Sequence, residues 1–270
     1  MKTGLVKVAP GKKIRLKNID AGDTGSYKSK DESLERVGQL QEKLRELQER
    51  LYAEDKRSLL LIFQAMDTGG KDGAVKSLLT GINPAGVQVT SFKAPSSEEL
   101  DHDYLWRVHQ KVPSRGMIGV WNRSHYEDVL IVRVHDLVPE KLWRKRYRHI
   151  NDFERLLTDH GVTVLKFFLH ISEDAQRERL EARLADPTKN WKFQAGDLAE
   201  RKLWDKYTKA YEDMLTECST EHAPWYLVPS DKKGPRDVMI VEVLVDTLEK
   251  MKPQFPAADP EVLKLRGTIK

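Results

Sequence analysis

Hydrophobic residues follow two patterns along the chain, and these patterns predict helices that alternate with strands. Apolar residues at three- and four-residue steps predict an amphipathic helix over residues 33–52. Short, continuous apolar runs such as SLLLIF at 58–63 are typical of strands that are buried on both faces. The pattern predicts further strands at 86–92, 116–121, 162–171 and 225–229, and further helices at 71–79, 96–112, 139–160, 173–184, 197–218 and 236–251.

This alternation of strands and helices predicts the fold class. Such an order is typical of right-handed βαβ units, which form a mainly parallel sheet covered by helices on both sides. We therefore expect a three-layer α/β/α domain over residues 31–252, preceded by an extended arm at 1–30 and followed by a tail at 253–270. In sheets of this kind, ligands bind outside the carboxyl ends of the strands.

The amino-acid composition limits which partners, covalent links and cellular compartments are expected for this domain. The chain has 270 residues, of which 33% are charged, yet the net charge of +4 identifies no polyanionic partner by itself. The single cysteine, Cys218, excludes an intramolecular disulfide and a metal site built only from cysteines. The N-terminus lacks the apolar segment of a secretory signal, and no run approaches the roughly 18 apolar residues that span a bilayer. We expect a cytoplasmic protein with no membrane partner.

A glycine-rich segment, residues 64–73, links the first predicted long strand to the helix that follows it. Backbone N–H groups, a helix N-terminus and Lys71 would all face one anion there, as in a phosphate loop. Two positions depart from the pattern G-x-x-x-x-G-K-[ST], because Ala65 replaces the first glycine and Asp72 replaces the hydroxyl residue. Asp67 offers an explanation, since a carboxylate beside phosphates would serve as a metal ligand. An ordinary β-to-α turn, with glycines for shape and an aspartate as helix cap, remains the alternative.

Polar residues also follow the predicted strand at 116–121. Asn122 comes first and is a neutral, weak Mg²⁺ ligand that would act through water. Arg123 lies where a guanidinium could neutralise charge on a transferred phosphoryl group. We interpret His125 and Tyr126 as interior polar residues that bond to the backbone.

Two groups of basic residues extend the candidate chemistry. Arg183 and Lys192 flank a helix break at Asp186, and we place a mobile lid at about 186–205 that would close over phosphates. A second group lies on the predicted helix at 139–160. Its members are Lys141, Arg144, Lys145 and Arg148. Salt bridges to neighbouring acids and a solvated helix face are the respective alternatives.

Several motifs together resemble a known family. They are AMDTGGKDG, FKAPSSEELDHDYLWR, WNRSHYEDVLIVRV, RYRHINDFERLL, LKFFLHIS, DPTKNWKF and APWYLVPSDKK, in this order over residues about 30–250. The sequence resembles the polyphosphate kinase 2 family and is most similar to its class III branch, whose members phosphorylate nucleoside mono- and diphosphates. The resemblance implies a P-loop kinase fold with a helical lid, similar to thymidylate kinase. It also implies a Mg²⁺ cofactor, with Mn²⁺ as a substitute, and assembly as a homodimer or homotetramer.

The resemblance assigns roles to residues of this chain. The catalytic set is Asp67, Lys71, Arg123 and Arg183. The phosphate-binding set is Thr68, Gly69, Gly70, Asp72, Gly73, Arg133 and Lys192. The polyphosphate channel would be lined by Lys141, Arg144, Lys145 and Arg148, and the acceptor side by Asn83, Glu127 and Asp128. Asp67 and Asn122 would hold the metal. Because many family members have Asp where this chain has Asn122, Glu127 or Asp128 is the alternative second ligand.

Residues and resemblance together predict an enzyme that moves the terminal phosphoryl group of inorganic polyphosphate onto AMP and ADP, with no covalent intermediate. The expected partners are polyphosphate and adenine nucleotides, with guanine nucleotides left open, and no nucleic acid. The nearest rival is an ATP-dependent nucleotide kinase of the thymidylate kinase type, which would keep the glycine and the hydroxyl that this loop lacks. A nucleic-acid-binding module is a more distant rival, since it would need aromatic residues for base stacking among its basic ones.

Overall fold

The computed structural model describes residues 4–268, which fold into six β-strands and eleven α-helices. The strands are β1 (Val6–Lys7), β2 (Ser58–Ala65), β3 (Val87–Ser91), β4 (Ile118–Asn122), β5 (Val162–His170) and β6 (Trp225–Pro229). The helices are α1 (Lys30–Glu54), α2 (Lys71–Leu78), α3 (Ser97–Asp101), α4 (Trp106–His109), α5 (Ile131–Val134), α6 (Glu140–Asp159), α7 (Glu173–Ala185), α8 (Ala195–Arg201), α9 (Trp204–Glu217), α10 (Lys233–Met251) and α11 (Pro260–Lys264). Short 3-10 helices lie at Leu16–Asn18, Pro84–Gly86, His125–Val129 and Asn190–Lys192.

The six strands form one sheet in the order β1-β6-β5-β2-β4-β3. Every neighbouring pair is parallel except β1 with β6, which is antiparallel. Strand β2 lies between β5 and β4, and all of its residues are buried. The predicted α/β class with a mainly parallel sheet is confirmed, and the glycine-rich loop that follows β2 opens near the middle of the sheet's carboxyl edge.

Alternate residues of β2 face two separate hydrophobic clusters. Leu59, Leu61 and Phe63 pack with α1, α2 and α10 on one side of the sheet. Leu60 and Ile62 pack with α6 and α9 on the other side. Because successive side chains of a strand point to opposite faces, one continuous apolar strand contributes to both cores. The result is the predicted arrangement of three layers.

The two ends of the described chain relate differently to this domain. The predicted arm contributes β1, and its residues Val8, Ile14 and Leu16 are buried against the core. At the other end, α11 lies within the predicted tail and is exposed. Within residues 4–268, no helix combines the length and the apolarity that crossing a membrane requires.

Two helices predicted as continuous are interrupted, and those predictions are wrong. The segment 96–112 begins with a capping box formed by Ser96 and Glu99 but forms α3 and α4, separated by an extended His102. Oδ1 of Asp103 accepts from the N–H of Leu105 at 2.9 Å, which forms a turn directly before the second helix. The segment 197–218 forms α8 and α9, because the chain turns at Leu203 to pack that residue and Trp204 on the core.

Candidate active site

The carboxyl edge of the sheet opens into a cleft of about 840 Å³. The base of the cleft is the loop at residues 65–73 between β2 and α2. One wall is formed by the ends of β3 and β4, and another wall is formed by α7 and α9. Ten basic side chains line it: Lys71, Lys93, Arg123, Arg179, Arg183, Lys189, Lys192, Arg201, Lys233 and Arg236. Five acidic side chains line it: Asp67, Asp72, Glu127, Asp197 and Glu200. The cleft therefore carries an excess of positive charge, which favours an anionic ligand.

Two residues of the loop adopt the left-handed backbone conformation. The φ angle is +64° at Thr68 and +100° at Gly70, and glycine adopts such a conformation without the about 1–2 kcal/mol that it costs other residues. Gly69 is needed for a different reason, since a Cβ atom there would lie 2.6 Å from Cβ of Ala65 and 2.8 Å from the carbonyl oxygen of Met66. The glycines of the motif thus set the shape of the loop.

Six successive carbonyl oxygens of the loop, from Ala65 to Gly70, all accept hydrogen bonds from the protein. The donors and acceptors are Tyr211 to Ala65 (2.9 Å), the N–H of Gly69 to Met66 (3.0 Å), Gln176 to Asp67 (2.7 Å), Arg179 to Thr68 (3.2 Å), Ser230 to Gly69 (2.9 Å) and Arg236 to Gly70 (3.3 Å). With its acceptors occupied, the loop has N–H groups left to offer a ligand. The first-turn N–H groups of α2 add to these, because they have no carbonyl partner in their own helix.

Lys71 is the first residue of α2 and is buried beneath the loop. Its Nζ donates to the carbonyl oxygen of Ala65 at 2.9 Å. Burial lowers the pKa of Lys71 to about 8, and the charge of Arg123 adds to the effect. A bound phosphate would reverse part of this shift, because an opposite charge favours the protonated amine.

Asp67 and Arg123 meet across the cleft. Nη2 of Arg123 donates to Oδ1 of Asp67 at 2.8 Å, and Nη1 lies 3.9 Å from the Glu127 carboxylate. Burial alone would lower the pKa of Arg123, but Glu127 and Asp67 raise it overall, so the guanidinium stays charged. Both side chains of the pair remain more than a third exposed (39% and 36%), which leaves them accessible to a ligand.

The donor atoms beside the loop have the chemistry of a Mg²⁺ site. Asp67, Asp72 and Asn122 line the cleft and offer carboxylate and amide oxygens, the hard ligands that Mg²⁺ binds before water and substrate phosphates complete its shell. Among residues 4–268, no three His, Cys, Asp or Glu side chains form a metal site on their own. The residues therefore fit a metal ion that arrives together with phosphates.

Most residues predicted for the site lie together in the cleft. The structure places residues 65–73 of the predicted loop there, with Arg123 and Asn122 from the end of β4 and Arg183 and Lys192 from another wall. Glu127 also lines the cleft. Their catalytic and binding roles remain predictions.

Two residues predicted on the acceptor side do not line the cleft, so their placement there is corrected. Oδ1 of Asn83 accepts from the N–H of Ala85 at 3.0 Å and caps the 3-10 helix that precedes β3. Asp128 pairs with Arg146 at 2.9 Å, and burial raises the pKa of this carboxyl to about 6. In a 3-10 helix, adjacent side chains point about 120° apart, so Asp128 turns away from the cleft that Glu127 faces.

Arg133 and the basic residues of α6 do not line the cleft either. Nη1 of Arg133 donates to Asp213 at 2.7 Å, and its guanidinium stacks on Trp143. The apolar face of α6 covers the sheet, and the four predicted channel residues of this helix face solvent. These exposed residues are Lys141, Arg144, Lys145 and Arg148. A channel formed by them could only continue outside the cleft.

His125 and Tyr126 are buried, as predicted, but their side chains bond to a carboxylate rather than to the backbone. Nε2 of His125 lies 3.3 Å from Glu154, and the hydroxyl of Tyr126 donates to the same carboxylate at 2.8 Å. The backbone partners expected for both are therefore wrong.

Sequence reasoning assigned no site role to two residues that hold the loop, Gln176 and Arg236. Arg236 is only 2% exposed although it lies in the first turn of α10. A cation at a helix N-terminus opposes the helix dipole, and this mismatch is the signal that could have identified it. Gln176 carries no comparable signal.

Comparisons with known proteins converge on one family. A sequence model described as Polyphosphate kinase 2 (PPK2) matches residues 27–256. An AMP/ADP-polyphosphate phosphotransferase of Meiothermus ruber is 51% identical over 251 residues, which cover 93% of this chain and 94% of that protein. An ADP-polyphosphate phosphotransferase of Rhodopseudomonas palustris is 45% identical and covers 100% and 99% of the two chains. The crystal structure of polyphosphate kinase 2 from Arthrobacter aurescens TC1 aligns with a TM-score of 0.92, at 42% identity over 98% of each chain.

Proposed function

This chain belongs to the polyphosphate kinase 2 family, and we propose that it transfers the terminal phosphoryl group of inorganic polyphosphate to AMP and to ADP. The names of its relatives support this, since one acts on AMP and ADP and the other on ADP. The observation that carries the proposal is the loop at residues 65–70, whose carbonyl oxygens are all occupied, at the base of a cleft with excess positive charge.

A polyphosphate donor suits this cleft better than a nucleoside triphosphate. A chain of phosphates carries about one negative charge per unit, so clustered basic residues can hold it by charge alone, as they hold nucleic-acid backbones. Arg183, Lys189 and Lys192 provide such a cluster opposite the loop. ATP-dependent P-loop enzymes place a hydroxyl on the metal after the loop lysine, and Asp72 occupies that position here.

The proposed reaction needs no proton transfer from the acceptor. An oxygen of the acceptor phosphate attacks the terminal phosphorus of the donor, the bond from that phosphorus to the bridging oxygen breaks, and the polymer leaves one unit shorter. Because the acceptor phosphate is already ionised, no general base is required. Lys71 and Arg123 would offset the charge on the transferred group, and the loop N–H groups would hold its oxygens.

Mg²⁺ is the metal proposed for this site. Asp67, Asp72 and Asn122 would hold it, and when bound it would offset part of the charge on the reacting phosphates. Asp67 already pairs with Arg123, and Asp72 with Asn122. These pairs would keep both carboxylates oriented before the substrates bind, so less ordering remains to be done in the complex.

The test is a time course with purified protein, Mg²⁺, AMP and long-chain polyphosphate as the sole donor. We expect ADP to rise and then fall while ATP accumulates. If ADP accumulates and added ADP gives no ATP, the enzyme is a monophosphate kinase only. If polyphosphate is inert while ATP phosphorylates nucleoside monophosphates, the donor is wrong and the ATP-dependent alternative is correct.

A further inference from the structure

Asn122 and Arg123 are consecutive in the chain, yet both side chains line the cleft. In an extended strand, successive side chains point to opposite faces. The left-handed φ of +62° at Arg123 breaks this alternation at the end of β4. Such a conformation is strained for a residue with a Cβ atom and persists only where the surrounding structure holds it.

Arg123 is anchored on both sides. On the strand side, its N–H donates to the carbonyl oxygen of Phe63 at 3.1 Å, which extends the pairing of β2 with β4. On the other side the chain enters the 3-10 helix His125–Val129. Oγ of Ser124 accepts from the N–H of Tyr126 at 3.2 Å and begins that helix.

The 3-10 helix is in turn fixed by four buried side chains, here called the Glu154 cluster: His125, Tyr126, Glu154 and Lys166. Glu154 of α6 accepts from the Tyr126 hydroxyl at 2.8 Å and from Nζ of Lys166 at 2.5 Å, and it lies 3.3 Å from Nε2 of His125. Lys166 of β5 also donates to the Tyr126 hydroxyl at 2.8 Å. None of the four is more than 1% exposed. The cluster therefore joins α6 and β5 to the segment that directly follows Arg123.

A purely structural role does not explain why Glu154 and Lys166 form a buried ion pair here. A buried ion pair adds little stability over apolar side chains of similar volume, whereas the hydrogen bonds within a buried polar network fix the orientation of the side chains that make them. We propose that the Glu154 cluster aims the guanidinium of Arg123 into the cleft, so that its four members are positioning residues for phosphoryl transfer. This inference rests on the proposed function, because it takes Arg123 to act on the transferred group.

The test is a double-mutant cycle that combines Tyr126→Phe with Arg123→Ala. Tyr126→Phe removes one hydroxyl from the cluster and keeps the ring. In the otherwise wild-type enzyme we expect kcat to fall between about 5-fold and 100-fold while KM for ADP changes less than about twofold, as misplacement of a catalytic group does. In the Arg123→Ala background the same substitution should change kcat by less than about twofold, because no guanidinium remains to be misplaced.

Tyr27→Phe is a matched control. The Tyr27 hydroxyl donates to Glu242 at 2.6 Å, and Arg36 pairs with that carboxylate at 3.2 Å, so the chemistry resembles that of the Glu154 cluster. Tyr27 packs on the opposite side of the sheet. Tyr27→Phe should lower the unfolding temperature and leave kcat unchanged.

The inference is overturned if Tyr126→Phe leaves kcat unchanged, or lowers it by the same factor with and without Arg123. Should Tyr126→Phe not fold, His125→Gln enters the same cycle under the same criteria. A wild-type protein with no polyphosphate-dependent activity would overturn the proposed function, and this inference with it.

Discussion

Nδ2 of Asn122 donates a hydrogen bond of 2.6 Å to Oδ1 of Asp72, which joins the end of β4 to the first turn of α2. Each residue stands where the sequence departs from its pattern, an amide in place of a second acid and a carboxylate in place of a hydroxyl. The contact indicates that the two departures compensate each other. An aspartate at position 122 would face the Asp72 carboxylate, whereas an amide can donate to it.

Asn122→Asp is expected to make the protein depend on metal for stability. With chelator present, the unfolding temperature should fall by about 1–3 °C, because exposed like-charged pairs cost no more than about 1 kcal/mol. Saturating Mg²⁺ should raise the unfolding temperature of this variant by more than it raises that of the wild type, since two adjacent carboxylates bind the ion better than one. Thermal unfolding with and without Mg²⁺ measures both effects. Asn122→Ala, which loses the hydrogen bond without adding charge, is the control, and an equal Mg²⁺ response in the two variants would contradict the prediction.

Asp67→Asn is expected to fold normally and to lose about 100-fold or more of kcat, as loss of a preorganised electrostatic group does. The physical reason is the removal of a carboxylate that pairs with Arg123 and that would hold the metal in the proposed reaction. Steady-state rates and unfolding temperatures should be compared with those of Asp152→Asn, which alters an exposed aspartate of α6. Near-wild-type turnover would remove Asp67 from the mechanism, and an unfolded variant would favour the alternative in which it caps the helix.

Substrate capture is expected to weaken above pH 8. The pKa of Lys71 is lowered to about 8 in the free protein, so the amine is charged below that pH and loses its proton as the pH rises through it. Because kcat/KM reports the free enzyme, kcat/KM should fall above pH 8, while kcat falls only at higher pH. Profiles from pH 6.5 to about pH 9.5 test this range around the shifted value. The arginine of Lys71→Arg keeps its charge over this whole range. The kcat/KM of this variant should therefore be lower than that of the wild type but independent of pH. An unchanged decline of kcat/KM above pH 8 in this variant would assign the titration to another group.

The basic face of α6 is expected to matter for long donors alone. Neutralising Arg144, Lys145 and Arg148 together should raise KM for long polyphosphate and leave KM for tripolyphosphate unchanged, because these exposed residues lie outside the cleft. Added salt should mimic the effect, since exposed charges are screened within about 10 Å at 0.1 M ionic strength.

A variant with the same charge change elsewhere controls for net charge. Neutralising the exposed Lys12, Lys13 and Lys28 should leave KM for both donors unchanged. Equal changes for long and short donors in the α6 variant would mean that the helix face is simply solvated.

The base of the cleft could be predicted from sequence because its signals are local. Residues 65–73 and Arg123 directly follow apolar runs, and such runs end at the carboxyl edge of a parallel sheet. The supports of the loop could not be found this way. Gln176 is 109 positions from the carbonyl it binds at Asp67, and Arg236 is 166 positions from Gly70.

Residues that were wrongly predicted to line the site show a second limit of prediction from sequence. Arg133 and Asp128 are close in sequence to Arg123, but each turns toward a partner on a different helix, Asp213 and Arg146. Adjacency in sequence does not set the direction of a side chain after a left-handed residue and a 3-10 helix. Only the packing of α6 and α9 decides which of these groups reaches the cleft.

The loop at residues 65–70 is not a portable motif. Its shape depends on donors from α7, α9, α10 and the end of β6, so the nine letters AMDTGGKDG carry only part of the information. Grafted onto another strand–helix junction, they would leave several carbonyl oxygens without partners, and the segment would relax into whatever turn its new neighbours allow. An engineer who wishes to transplant the site must move Tyr211, Gln176, Arg179, Ser230 and Arg236 as well.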